Sequence, residues 1–146
     1  MRMLDDLNPG DRDAGGPLTL SEPDLLEFAG RFDPQPFHLD PVAAKDSVFG
    51  GLAASGWHTA ALTMRMLVES VPLADGLIGA ELQLGWPKPT RPGMMLHVES
   101  EIVDITPSRS KPHMAMVTMR NETRDQDGEA VQIFTVKMPV FERPKL

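Results

Sequence analysis

A carboxylate and an imidazole lie close together in a proline-rich segment of the chain. The segment from Phe32 to Pro41 reads FDPQPFHLDP, with Asp33 and His38 five positions apart. A carboxylate and an imidazole that bracket one water molecule can accept a proton from it and donate a proton to a second atom. A residue before proline avoids helical backbone angles, so Asp33 and Gln35 are expected to be extended. The segment therefore offers a candidate acid–base pair on a stiff loop.

Two other roles fit the same residues. Asp33 can accept backbone hydrogen bonds in a capped loop while His38 is merely packed. A metal site built from Asp33, His38 and Asp40 is the weaker alternative, because it has one nitrogen ligand, no cysteine and no HxH or HExxH spacing. Asp40 stands before Pro41 and is better explained as a helix cap. We expect no metal ion in this protein.

Composition narrows the class of protein. The 146 residues suit one domain over residues 1–146, and 14 basic against 21 acidic residues give a net charge of −7. The absence of any basic run argues against nucleic acid or an anionic membrane as partner. There is no cysteine, so disulfides and thiolate nucleophiles are excluded. The first residues lack an apolar signal core and no run approaches the roughly 20 apolar residues of a membrane span, so we expect a cytoplasmic protein.

Hydrophobic periodicity predicts helices first and strands afterwards. Ser21 and Pro23 signal the start of a helix that ends near Gly30. Residues 49–71, FGGLAASGWHTAALTMRMLVESV, form the one long helical pattern, which is apolar on most faces and is expected to be buried. Alternation predicts about four strands, near residues 76–86, 94–105, 113–125 and 129–141, the last two joined by the turn DQDG. One buried helix against an antiparallel sheet is an α+β arrangement.

The stretch FDPQPFHLDP, taken with its sequel AAKDSVFGGLAASGWHTAAL, resembles the MaoC-like dehydratases, relatives of the (R)-specific enoyl-CoA hydratases. Asp33, Pro36 and His38 meet the family's Asp-x-x-Pro-x-His pattern, whereas Gln35 stands where the family usually has asparagine. The resemblance extends from about Leu20 to Val140. It implies the hot-dog fold, in which a long central helix is wrapped by an antiparallel sheet.

The resemblance also implies an activity and a set of site residues. The family hydrates a trans-2-enoyl thioester, or dehydrates the (R)-3-hydroxyacyl thioester, with the residues matching Asp33 and His38 as acid–base pair. Fully extended, five residues span about 17 Å, so the loop must bend as it does in the family. The amide of Gly51 matches an oxyanion donor, although this glycine can equally serve only the turn into the helix. Ser55 matches a residue that orients the pair, with a small helix residue as the alternative.

Partners follow from the same resemblance. The substrate is an acyl-CoA or similar thioester, and no cofactor besides that CoA is expected. Arg91, Arg109 and Lys111 are candidates for contact with the CoA phosphates, with ordinary surface charge as the alternative for each. The last strand is apolar on both sides, and we expect a homodimer at least. A hot-dog thioesterase and a catalytically silent acyl-thioester binder are the competing hypotheses, and the acyl chain length is left open.

Overall fold

In the computed structural model, which describes residues 1–146, a five-stranded antiparallel sheet packs around one long helix. The strands are β1 (Arg12–Thr19), β2 (Glu81–Gly85), β3 (Met95–Pro107), β4 (Met114–Arg124) and β5 (Ala130–Phe141), in the spatial order β1-β3-β4-β5-β2. The helices are α1 (Glu22–Phe32), α2 (Pro36–Leu39), α3 (Pro41–Lys45) and α4 (Gly56–Ser70), preceded by a 3-10 turn at Leu4–Asp6. The α+β prediction is confirmed.

The strands confirm most of the alternation pattern. β4 and β5 pair along their whole length, from Met114 opposite Phe141 to Arg124 opposite Ala130. Their connection is the predicted DQDG turn, in which Gly128 has a φ of 80°. β2 begins at Glu81 rather than at residue 76. The predicted strands are therefore right in order, with one boundary displaced.

The prediction of about four strands missed β1. This strand contains Gly15-Gly16-Pro17, and its register against β3 shifts there. A β-carbon on Gly15 would lie 2.8 Å from Cβ of Ser70 at the end of α4. The strand needs glycine because helix and sheet approach closely here, and that same glycine pair makes the segment read as a break.

The start of the central helix was also predicted wrongly. α4 begins at Gly56, and residues 49–55 precede it as turn and extended chain. Gly50 has a φ of 63°, which is a left-handed conformation that ends any helix. The carbonyl groups of Phe49, Gly51 and Leu52 accept hydrogen bonds from the Arg91 side chain rather than from a helical turn. This segment is a separate wall beside α4.

The face of α4 that packs on the sheet agrees only in part with the predicted apolar pattern. Its buried residues are His58, Thr59, Thr63, Met66 and Leu67. The threonine hydroxyls are satisfied by buried partners: Thr59 donates to Thr90 (2.9 Å), and the hydroxyls of Thr63 and Thr123 lie 2.6 Å apart. By contrast, three apolar residues of this helix, which was expected to be buried, are exposed: Trp57 (62%), Met64 (39%) and Val68 (59%).

Two apolar clusters hold the elements together. The larger lies between α4 and the sheet and includes Leu67, Val98 and Met119. The smaller packs α1 and α3 against the segment before α4 through Leu25, Ala44, Leu52 and Ala54, with Leu20. This second cluster fixes the end of α1 next to the start of α4. No helix is long and apolar enough to cross a membrane.

Candidate active site

The fold brings Asp33 and His38 into contact. Asp33 is the C-cap of α1, and His38 lies in the single turn α2, which Pro36 begins. The chain bends between them, so that Asp33 Oδ2 lies 3.2 Å from His38 Nε2. The capping alternative for the third polar residue of this segment is correct, because Asp40 accepts a hydrogen bond from the Val42 amide (2.9 Å) as N-cap of α3.

His38 is held by its other ring nitrogen. Nδ1 lies 2.6 Å from the Ala53 carbonyl oxygen, and the residue is 5% exposed with Phe37 edge-on against it. A carbonyl oxygen only accepts, so Nδ1 carries a hydrogen and Nε2 is the nitrogen that faces Asp33. A second proton must therefore lie between Nε2 and the Asp33 carboxyl group, because two bare acceptors would repel each other.

The surroundings of Asp33 favour the ionised form of its carboxyl group. The carboxyl group is 16% exposed, and this burial by itself raises its pKa. The hydrogen bond from Gln35 to Oδ1, the nearby Ser55 hydroxyl and His38 outweigh burial, so the pKa of Asp33 is lowered. Ser55 Oγ is fully buried and makes no hydrogen bond of normal geometry, which leaves it free to turn towards Asp33. Asp33 is therefore the carboxylate of the pair.

A cavity of about 430 Å³ opens beside this pair. Four aromatic side chains and two prolines form much of its wall: Phe37, Phe49, Trp57, Trp86, Pro87 and Pro89. Its polar lining consists of Asp33, Gln35, His38, Lys88 and Thr90. The site therefore places one acid–base pair at the edge of a largely apolar space, which suits a substrate with an apolar chain and one reactive polar group.

The amides nearest the cavity belong to the start of α4. Gly56 and Trp57 line the cavity, and their N–H groups have no backbone acceptor because they open the helix. Gly51 was expected at the start of the central helix; it lies five positions before α4 and outside the cavity lining. Its carbonyl oxygen accepts from Arg91 Nη1 (2.9 Å). The oxyanion role of Gly51 stays a prediction.

The three basic candidates for phosphate contact occupy different settings. Arg91 is half-buried and donates to the carbonyl oxygens of Gly51 and Phe49, so it braces the segment before α4. Arg109 and Lys111 are exposed in the β3–β4 connection, and neither side chain makes a hydrogen bond or ion pair within the chain. A phosphate contact by these two residues stays a prediction.

Three residues of the site were missed from the sequence. Gln35 was noted only as a departure from the family pattern, yet its side chain bonds the Asp33 carboxylate. Trp86 and Lys88 fell between a strand and a proline-rich loop. Lys88 Nζ lies 2.8 Å from the fully buried Asp125 carboxylate and also bonds Glu129, and these acceptors raise the pKa of Lys88. The partners of Trp86 and Lys88 lie 37 to 46 positions away in the sequence, so no local pattern marks these two residues.

A larger groove, of about 570 Å³, lies on the outer side of β1, β3 and β4. Its charged side chains face one another, with Arg12 3.5 Å from Glu101 and Arg124 3.4 Å from Glu99. It contains no acid–base pair comparable to Asp33 and His38. No group of three or more His, Asp or Glu side chains is arranged to hold a metal ion.

A sheet-wrapped central helix with an Asp–His pair beside its N-terminus defines the class of hot-dog domains related to dehydratases. Residues 9–124 match the family model described as MaoC like domain. The chain therefore belongs to the MaoC-like family, and the resemblance read from the sequence is confirmed.

Individual relatives agree with this assignment. The crystal structure of the MaoC-like dehydratase from Rhodospirillum rubrum is 55% identical and superposes with a TM-score of 0.97 over 99% of this chain and 100% of that one. The uncharacterized protein YdeM of Bacillus subtilis is 31% identical over 126 residues, which is 85% of this chain and 86% of YdeM. The 3-hydroxybutyryl-CoA dehydratase of Methylorubrum extorquens is 29% identical over 121 residues, or 82% of this chain and 74% of that protein.

Proposed function

We propose that the protein is a hydro-lyase that adds water to a trans-2-enoyl thioester or removes it from the (R)-3-hydroxyacyl thioester. The observation that carries this proposal is the contact of Asp33 with His38 at the edge of an aromatic cavity, in a chain of the MaoC-like family. The similarity to a 3-hydroxybutyryl-CoA dehydratase supports a CoA-linked substrate. No cofactor besides the substrate's own CoA enters the proposed reaction.

The two side chains supply complementary proton transfers. Asp33 accepts a proton from water while the water oxygen bonds to the β-carbon and the α–β double bond breaks. The imidazolium of His38 gives its Nε2 proton to the α-carbon. The proton gained by Asp33 then passes across the 3.2 Å contact to Nε2, which restores both groups. The reverse sequence removes water, so one pair serves both directions.

Negative charge develops on the thioester oxygen during this addition and requires a donor. The free amides of Gly56 and Trp57 meet this need, because they line the cavity at the positive end of the 15-residue helix α4. Gly51, the donor expected from the sequence, does not line that cavity. Ser55 is a positioning residue in this proposal, since its buried hydroxyl is near the Asp33 carboxylate and lowers its pKa.

The proposal includes a homodimer. α4, the edge strand β2 and the connection between them expose a set of apolar side chains that a second copy would cover: Trp57, Met64, Val68, Ile78 and Leu82. β2 pairs only with β5, so its outer edge is unpaired. This apolar surface adjoins the cavity through Trp57, so a partner subunit would also border the substrate.

The test is an assay with a series of trans-2-enoyl-CoA thioesters. Hydration is measured as loss of enoyl absorbance, and hydrolysis is measured in parallel as release of free thiol. We expect hydration without thiol release. Asp33→Asn and His38→Gln should each lower kcat by about 10²- to 10⁴-fold with an unchanged circular dichroism spectrum. Asp40→Asn is the matched control, because this carboxylate of the same segment caps α3 and should leave kcat intact. Thiol release by the wild type, or full activity of both site variants, would contradict the proposal.

A further inference from the structure

Trp86 lines the same cavity as Asp33 and His38. Its six-membered ring lies against Gly56, where an added β-carbon would be 2.6 Å from Cε2 and Cζ2. Gly56 directly follows Ser55, whose hydroxyl adjoins Asp33. The indole also meets Trp57 edge-on, with ring centroids 5.8 Å apart. Only glycine at position 56 allows the ring to pack this closely on the start of α4.

The orientation of the indole is fixed from behind. Trp86 Nε1 donates to Gln132 Oε1 at 2.9 Å. Gln132 is 1% exposed, and its own Nε2 donates to Thr63 Oγ1 at 3.0 Å. Thr63 in turn bonds the Thr59 carbonyl on the same helix. A buried amide that is itself held at both ends keeps the ring in one position although 43% of the residue is exposed.

Two further cavities lie beyond Trp86, lined mainly by apolar residues of α4, β2 and β5, and together they form what we call the apolar groove. A cavity of about 160 Å³ is lined by Leu84, Gln132 and Trp57 among others, and it shares Trp57 with the catalytic cavity. A further cavity of about 110 Å³ shares Met64, Leu82 and Phe134 with it. Of these three cavities, Trp86 lines only the one beside Asp33 and His38, whereas its hydrogen-bond partner Gln132 lines the cavity of about 160 Å³. The indole and the Gln132 side chain therefore lie where these two cavities adjoin.

We infer that Trp86 determines acyl-chain specificity, by closing this passage and restricting the protein to short-chain enoyl thioesters of about four carbons. The inference rests on the proposed function. The rest of the acyl chain is attached to the β-carbon and points away from the thioester group. A longer chain would therefore extend past the indole into the apolar groove. With the ring in place, a longer chain meets the indole, and its additional methylenes do not reach the apolar groove on the other side.

Removal of the indole provides the test. Each methylene that becomes buried favours binding by about fourfold, so trans-2-octenoyl-CoA, with four more methylenes than crotonyl-CoA, has a large potential gain. In Trp86→Ala we expect the ratio of kcat/KM for octenoyl-CoA to that for crotonyl-CoA to rise at least about tenfold. Trp86→Leu, a smaller change to the fold, should move the ratio in the same direction. Gln132→Met, which releases the indole without removing it, should give a smaller rise.

Phe37→Leu is the matched control. It trims another aromatic wall of the same cavity, on the side of His38, and should leave the ratio of the two substrates at the wild-type value even where both rates fall. A readout independent of turnover is the rise in melting temperature with the saturated thioesters. Butanoyl-CoA should protect the wild type more than octanoyl-CoA, and Trp86→Ala should reverse this order.

The outcomes separate the two levels of inference. A wild type that hydrates crotonyl-CoA, with Trp86→Ala and Trp86→Leu retaining its substrate ratio and protection order, would overturn the role of Trp86 and leave the proposed function standing. A wild type that prefers octenoyl-CoA would overturn it equally. A wild type that hydrates no enoyl thioester of any length would overturn the proposed function and this inference together.

Discussion

Replacing Arg91 by methionine should weaken both the fold and the site. The guanidinium donates to the carbonyl oxygens of Gly51 (2.9 Å), Leu52 (3.3 Å) and Phe49, so it ties down the segment before α4. Hydrogen bonds that involve a charged group contribute about 1.5–3 kcal/mol each. Because the side chain is only half-buried, we count two of these bonds at the lower end of that range, which gives about 3 kcal/mol of unfolding free energy. For a chain of this length that loss lowers Tm by about 10 °C.

The same change should slow catalysis, because the braced segment continues to Ala53, whose carbonyl oxygen holds His38 Nδ1. Urea unfolding gives the stability and steady-state hydration gives kcat. Arg109→Met is the control: this exposed arginine has no partner in the chain, so its loss should change stability by less than about 0.5 kcal/mol. Unchanged stability of Arg91→Met, with a raised KM for the CoA substrate, would refute the bracing role and favour phosphate contact.

Three further predictions concern protons and assembly. Gln35→Met removes a donor to the Asp33 carboxylate, so the pKa of Asp33 rises and the acidic limb of kcat/KM should move to higher pH; an unmoved limb would argue against this contact. Burial lowers the pKa of His58 below its usual 6.5, and the nearby Asp24 carboxylate opposes this only in part. As the pH falls below 6.5, His58 is therefore protonated more readily in the unfolded chain than in the folded one, and the stability of the fold decreases. His58→Phe should flatten that fall in Tm between pH 7 and 5, and an equally steep fall would exclude His58. Light scattering should give a dimer for the wild type and a monomer for Val68→Glu, whereas a wild-type monomer at micromolar concentration would contradict the predicted interface.

Asp33 and His38 could be singled out from the sequence because they and the prolines between them lie in one short segment. Asp33 and His38 lie five positions apart, and the signal at Ser21 correctly predicts the start of a helix. This helix ends at Phe32, two residues after the predicted end near Gly30. The bend that brings the two side chains together could not be predicted from their spacing. It depends on the one-turn helix α2 and on the Ala53 carbonyl, which lies 15 positions from His38. The family resemblance supplied this bend, and the 3.2 Å contact agrees with it.

The packing of α4 shows why other parts could not be predicted. Trp57 and Val68 have the apolar character of core residues, yet they are exposed in the chain, whereas Thr59 and Thr63 are buried. Buried hydroxyls are tolerated only when they find partners, and the partner of Thr63 on β4 lies 60 positions away. Such pairings leave no local pattern. Hydrophobic periodicity therefore predicted the helix and the burial of Met66 and Leu67, but not which of its other residues are buried.

The most direct test of the account is a crystal structure of Asp33→Asn with crotonyl-CoA bound. We expect the β-carbon of the acyl group to lie beside the side chain of residue 33 and Nε2 of His38, with the thioester oxygen accepting a hydrogen bond from the Gly56 amide and the methyl end facing Trp86. An ordered acyl group bound outside this cavity, with no approach to His38, would contradict the account.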